Sequence, residues 1–194
     1  MKIVLATRND HKVSELQALL AGAGVEVIGL GAFPALPEEL PETGDTFVHN
    51  ALEKARFVFE QTGLAAIADD SGLEVDALGG RPGVFSKRFS PEGTAAGNNA
   101  KLLDLLIGRE DRTARFRCVI AVVGPKGAET SDGTCEGALG RSVRGAGGFG
   151  YDPLFWPVEA PGRTLAELSM NEKNAISHRG RAAVGLVDVI RRCL

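Results

Sequence analysis

Two carboxylates stand side by side at Asp69-Asp70, between the small apolar run Ala65-Ala66-Ile67-Ala68 and the turn signal Ser71-Gly72. A buried strand ending at Ala68 would deliver both acids to the rim of a sheet, where open α/β sheets bind their ligands. Two carboxylates in one dry site need a cation or protons to neutralise them. With oxygen donors and no His or Cys beside them, the cation that suits is Mg²⁺ rather than Zn²⁺. The same residues also read as a solvated Asp-Asp-Ser-Gly turn between two strands, so the pair decides nothing alone.

Cations sit where helices begin. Lys12 follows Thr7-Arg8-Asn9-Asp10-His11, after the short strand Lys2–Ala6, and opens a helix with Val13, Leu16, Leu19 and Leu20 on one face. A cation there opposes the helix dipole at a cost of about a few tenths of a kcal/mol, a conflict that a bound phosphate would remove. A capped helix with a solvated lysine is the alternative. Ser177-His178-Arg179 opens the last helix in the same way, with Ser177 as N-cap, or is simply surface. Lys173 lies in the polar run before it.

Asn50 and Lys54 stand one turn apart on a helix expected over 46–61, off the apolar stripe of Phe47, Ala51, Ala55 and Val58. They offer donors to phosphate or sugar oxygens, or form a solvated face. Gly145-Ala146-Gly147-Gly148-Phe149-Gly150 matches GxGxxG, but Tyr151-Asp152-Pro153 follows where a dinucleotide fold requires a helix. A glycine loop holding Phe149 and Tyr151 instead suits backbone and rings pressed on a flat ligand, unless those rings enter the core.

The remaining elements are expected as strands at Val25–Leu30, Leu73–Leu78 and Phe116–Val123, the last apolar but for Arg117 and central. Phe33–Thr43, with three prolines, is an extended loop, and Val84–Phe89 is an extended, partly basic segment. A helix covers Asn98–Ile107. Thr134–Leu139 pairs antiparallel after a Gly124–Gly133 turn region. Thr164–Glu167 is a capping box, and the last helix turns Ala183, Val184, Leu186, Val187 and Ile190 inward.

A chain of 194 residues with 44% hydrophobic and 24% charged residues makes one globular domain, or one domain with two lobes. A net charge of −3 gives no global basic field for nucleic acid, so an anionic ligand needs local Lys and Arg or a metal. Three widely spaced cysteines, Cys118, Cys135 and Cys193, fit reduced thiols of a cytosol. No signal-peptide core or membrane span is visible. A cytoplasmic protein with neither nucleic acid nor membrane as partner is expected.

The polar pieces also occur as a set. In order come Leu5-Ala6-Thr7-Arg8-Asn9-Asp10-His11-Lys12, Glu42-Thr43-Gly44, Asn50-Ala51-Leu52-Glu53-Lys54-Ala55-Arg56 and Ala68-Asp69-Asp70-Ser71-Gly72-Leu73. Gly79-Gly80-Arg81-Pro82-Gly83-Val84, Gly147-Gly148-Phe149-Gly150-Tyr151-Asp152-Pro153 and Glu172-Lys173-Asn174-Ala175-Ile176-Ser177-His178-Arg179-Gly180 follow. The set resembles the inosine triphosphate pyrophosphatase family (Ham1-like, dITP/XTP pyrophosphatases) over nearly the whole chain. Lys87 and Phe89 depart from it, standing where a small residue and Tyr are common.

The resemblance implies an elongated α/β fold, a mixed β-sheet with flanking helices and two lobes around a central nucleotide cleft, usually a homodimer. It implies hydrolysis of ITP, dITP and XTP to the monophosphate and pyrophosphate with Mg²⁺. Carried onto this sequence, Thr7, Arg8, Asn9, Asp10, His11 and Lys12 bind the triphosphate, and Glu42 and Asp70 support the metal. Asp70 takes the proton of the attacking water, with Asp69 beside it. Ser71, Phe149, Gly150, Tyr151, Asp152, Lys173, His178 and Arg179 bind substrate, and Asn50 and Lys54 contribute. A purine nucleotide sensor, or a phosphatase forming an aspartyl-phosphate, remains the rival reading.

Overall fold

The computed structural model describes residues 2–8, 10–20 and 24–194, so Asn9 and the side chains of Asp10 and His11 lie outside the described residues. Strand β1 (Lys2–Leu5) forms because Ile3, Val4 and Leu5 are β-branched or apolar and all three are buried. It leads through α1 (Asp10–Leu19) to β2 (Glu26–Gly29), which lies parallel to it with Ile3 opposite Val27. The chain then returns through α2 (Phe47–Thr62) to β3 (Ala66–Val75), parallel to β1 on its other side with Leu5 opposite Ile67. The direction of winding therefore reverses at β1. In open α/β sheets the ligand crevice lies beyond the carboxyl end of such a strand.

Helix α2 carries its own start and stop signals. The Thr46 side chain accepts a hydrogen bond from the His49 backbone N–H at 3.2 Å, and Gly63 ends the helix in the left-handed region at φ 67°. Phe47, Ala51, Ala55 and Val58 are buried, as their spacing predicts. The core beneath includes Val4, Leu30, Val58 and Ala66.

The second half of the sheet is built from β4 (Thr113–Gly124), β5 (Gly127–Leu139) and β6 (Phe155–Pro157). Pro125 and Lys126 alone join β4 to β5, a link so short that the two strands must run antiparallel. The turn region expected over Gly124–Gly133 thus shrinks to two residues, because pairing beside β4 draws its polar sequence into a strand. Strand β6 is antiparallel to β5, with Leu139 opposite Phe155. The sheet order is β2-β1-β3-β4-β5-β6, a mixed sheet with helices α3 (Ala95–Leu105), α4 (Met170–Ile176), α5 (His178–Ala182) and α6 (Leu186–Cys193) completing an α/β fold.

Three further expectations are corrected. Strand β3 does not end at Ala68; it runs unbroken through Asp69-Asp70-Ser71-Gly72 to Val75. Residues 83–88 form a 3₁₀ turn rather than an extended segment, because the Ser86 hydroxyl donates to the Gly83 carbonyl at 2.7 Å and accepts from the Leu73 N–H at 2.8 Å. The last helix is split at Gly185, whose φ of 75° is left-handed, and Val184 points to solvent instead of inward.

The chain divides into two compact units, Met1–Asp70 with Val119–Asp132 and Ala182–Leu194, and Ser71–Cys118 with Gly133–Arg181. The second has its own core, in which Leu73, Leu102, Phe116, Leu154, Phe155 and Leu165 are buried. Among the described residues no helix is long and apolar enough to cross a membrane.

Candidate active site

In the first unit the continuity of β3 decides what the two acids can do. Successive strand residues point to opposite faces, so the two carboxylates leave β3 on different sides, although the Asp69 charge still bears on the Lys54 ammonium that Asp70 binds. Each meets a lysine from a different helix. The Lys12 ammonium on α1 donates to both carboxylate oxygens of Asp69, at 2.9 and 3.0 Å. The Lys54 ammonium on α2 donates to Asp70 Oδ1 at 3.1 Å and to the Asp69 backbone carbonyl at 2.9 Å. The polar residues can stay in a strand because both carboxylates find partners there.

A carboxylate that shares the Lys54 ammonium with Asp70 comes from far along the sequence. Glu42 Oε1 accepts from Lys54 at 2.6 Å, so Glu42 and Asp70 converge on one ammonium. Helix α2 holds the Glu42-Thr43-Gly44 turn in place with three residues on one face. Asn50 accepts from the Gly44 N–H at 2.8 Å and donates to Asp70 Oδ2 at 3.2 Å. Glu53 accepts from the Thr43 N–H and hydroxyl, both at 2.8 Å. Positions 50, 53 and 54 are i, i+3 and i+4, the spacing that puts them together. Asn50 and Lys54 are buried, so the solvated-face alternative for them does not hold.

Burial pushes the Asp70 carboxyl above its ordinary value of 3.8, and the neighbouring Glu42 charge adds to this against the pull of Lys54 and Asn50. Burial also works against the charged Lys54, but Asp70, Glu42 and Asp69 outweigh it, and the ammonium is held above its usual 10.5. Together these groups form a carboxylate whose proton affinity is raised by burial, next to a fixed cation.

Arg8 is placed differently from the other polar residues of its loop. Its guanidinium donates to the backbone carbonyls of Leu30 at 3.2 Å and Leu36 at 2.6 Å, with Pro37 at 3.4 Å. Those bonds pin the proline-bearing stretch that precedes Glu42 and engage the guanidinium with protein carbonyls. Arg8→Met is expected to lower stability by about 1–3 kcal/mol through the unpaired carbonyls, read as the shift in a urea midpoint at constant slope.

In the second unit the glycine loop is tied to a buried acid. Asp152 Oδ2 accepts from the Phe149 N–H at 2.7 Å and from the Lys173 ammonium at 2.5 Å. A side chain at Gly148 would strike that oxygen, its Cβ falling 2.2 Å away. The two aromatics part company: Phe149 stays 60% exposed, whereas Tyr151 is buried with its hydroxyl donating to the Ser86 carbonyl at 2.8 Å. Only Phe149 therefore offers a ring to a flat ligand. The Lys173 ammonium lies 4.6 Å from its ring centroid and the Arg179 guanidinium carbon 5.9 Å. Ser177 caps α5 as expected, accepting from the Gly180 N–H at 3.1 Å, and His178 is buried, stacked on Phe116 at 4.9 Å.

The Ham1 family model matches residues 3–189. The chain belongs to the Ham1 family. Two relatives named dITP/XTP pyrophosphatase show the extent of the likeness. The Desulforamulus reducens protein is 52% identical over 197 residues, covering 99% of this chain and 96% of its own. That of Geobacter sulfurreducens is 50% identical, covering 96% and 95%. Among solved structures, a HAM1 protein from Coxiella burnetii superposes with a TM-score of 0.89 at 44% identity, covering 98% of both chains. The Ham1 protein of Staphylococcus aureus gives 0.89 at 35% identity with the same coverage.

For this Ham1 chain, sequence reasoning missed Glu53, the partner of Thr43, and Asn99, whose side chain donates to the Gly150 carbonyl at 2.9 Å. The signal for Glu53 was its spacing from Asn50 and Lys54. Nothing local distinguishes Asn99. Ser71 follows Asp70 in β3 and is half-buried, and Thr7 accepts the Leu30 N–H at its carbonyl, 2.9 Å away.

Proposed function

We propose that this chain hydrolyses purine nucleoside triphosphates carrying hypoxanthine or xanthine (ITP, dITP, XTP) to the monophosphate and pyrophosphate. The observation that carries this reading is the convergence of Glu42 and Asp70 on Lys54. The names of the relatives point the same way.

In this reading Asp70 takes a proton from water as the water oxygen bonds to the α-phosphorus and the bond to the bridging oxygen breaks, releasing pyrophosphate. The raised carboxyl of Asp70 favours that role, since a base works best when its proton affinity lies near the working pH. Lys54 lies beside Asp70 and Lys12 beside its neighbour Asp69, and both ammonium groups are available to offset phosphate charge. The Glu42 and Asp70 donor set is all oxygen and only two carboxylates strong, which fits Mg²⁺, an ion that completes its shell with substrate phosphates and water. Among the described residues no cluster of three acids, His or Cys is arranged to hold a metal without substrate. When bound, Mg²⁺ would supply charge neutralisation for the leaving pyrophosphate.

Base choice falls to the second unit. Phe149 supplies a stacking face, and Arg179 supplies donors, which suit the C6 oxygen of hypoxanthine or xanthine and clash with the C6 amino group of adenine. Arg179→Ala is expected to raise relative activity on ATP; an unchanged ITP-to-ATP ratio of kcat/KM would remove Arg179 from base reading. We further infer a homodimer, which the family resemblance implies, in the cytoplasm, which three reduced cysteines fit.

The test is a product assay on ITP, XTP, dITP, GTP and ATP with Mg²⁺, scoring monophosphate, pyrophosphate and orthophosphate separately. Monophosphate and pyrophosphate from ITP or XTP, with ATP spared, is the expected outcome. Orthophosphate with a diphosphate product would move attack to the γ-phosphorus and overturn the mechanism.

A further inference from the structure

Asn99, on the second turn of α3, is 7% exposed. One turn on, along the same face of that helix, Leu102 and Leu103 are apolar, and Leu102 is fully buried in the core of the second unit. A leucine would fill the place without burying a polar group. Instead the carboxamide nitrogen donates to the Gly150 carbonyl at 2.9 Å, while its Oδ1 is buried with no protein donor in reach. A carbonyl can only accept, so the nitrogen must face Gly150 and the oxygen must face away. An orphaned buried oxygen is destabilising, so the hydrogen bond to Gly150 is what the amide contributes.

That bond falls at a sensitive point. Phe149 sits between Gly148 and Gly150, both left-handed at φ 70° and 60°. Glycines on both sides give the backbone wide freedom, and the ring would share it. Two hydrogen bonds remove it. Asp152 holds the Phe149 N–H on one side, and Asn99 holds the Gly150 carbonyl on the other. Phe149 is then the exposed ring of a loop whose backbone is fixed at both ends.

We propose that Asn99 is a positioning residue for base recognition, which fixes the ring of Phe149 as a preorganised face for the purine. The proposal rests on the pyrophosphohydrolase reading above. Asn99 touches no reacting atom, so its loss acts on the base-bearing part of the ligand and leaves the phosphate-binding part alone.

The experiment uses the full chain with Asn99→Leu and Asn99→Ser, each checked for an intact cooperative thermal transition. Leucine fills the space without a donor, and serine is too short to reach Gly150 if leucine fails to fold. IMP and inorganic pyrophosphate are measured as competitive inhibitors of ITP hydrolysis, one with the base and one without. The IMP inhibition constant is expected to rise about 5- to 10-fold, the range for losing one such hydrogen bond, with pyrophosphate inhibition unchanged. KM for ITP should rise more than kcat falls, and the preference for ITP over ATP should narrow. Inhibition constants that rise together, or that both stay at the wild-type value, would overturn the proposal. Folded wild-type protein that turns over no ITP would instead refute the functional reading, before any variant is compared.

Discussion

Asp70→Asn is expected to lower turnover by about 10²- to 10⁴-fold, the range for losing a general base, while leaving nucleotide binding and folding intact. The amide keeps the size and the hydrogen-bonding reach of the carboxyl but cannot take the proton of the attacking water. Its effect on stability has the opposite sign to that of most buried substitutions. Burial first, and then Glu42, raise the Asp70 carboxyl above 3.8 in the folded protein. The folded state therefore holds that proton more tightly than the unfolded chain, and Asp70 contributes less stability as pH rises from its ordinary value through its raised one. A neutral amide escapes that loss, and Lys54 keeps Glu42 as a partner. The variant should match or exceed the wild-type thermal midpoint at neutral pH, with the gap closing toward pH 4. Near-normal ITP hydrolysis in a folded Asp70→Asn protein would remove Asp70 from the chemistry.

Lys54→Met removes the cation on which two carboxylates converge. Glu42 and Asp70 then face each other across an apolar thioether chain, and the Asp69 carbonyl loses a donor at 2.9 Å. Breaking a buried pair from one side leaves uncompensated charge and is expected to cost about 3 kcal/mol here, at the low end for such pairs because Glu42 keeps some contact with water. The pH dependence identifies the cause. Lys54 is held above 10.5, so the wild-type ammonium is present throughout pH 5–8 and its contribution is constant there. In the variant, acid neutralises the two carboxylates and restores stability. The urea-derived difference between wild type and variant should shrink from pH 8 to pH 5, and Mg²⁺ should raise the variant's midpoint more than the wild type's. A difference below about 1 kcal/mol, or one that ignores pH, would show that the pair is solvated.

What the sequence determined by itself was the set of motifs, in order over 3–180, and the elements whose signals are local. Helix α2 is the best example: its cap, its apolar stripe and the Asn50–Lys54 spacing all lie within one stretch of chain, so they were legible before any contact was known. The capping box at Thr164 and Ser177's cap on α5 were legible for the same reason.

The tertiary structure decided which groups meet. Asp69 and Asp70 look like one site in the sequence, but a continuous strand turns them to opposite faces, each to a lysine brought by a separate crossover. Those lysines come from distant helices, so no local signal could report where each acid finds its partner. Arg8 reads like part of an anion loop, yet its guanidinium answers carbonyls 22 to 29 residues away. Tyr151 and Phe149 share one glycine loop, and only the Ser86 carbonyl, far off in sequence, takes Tyr151 inside and leaves Phe149 out. Spacing along the chain carries what is periodic. Partnership between side chains depends on how the crossovers fold back, and that is written in no single stretch.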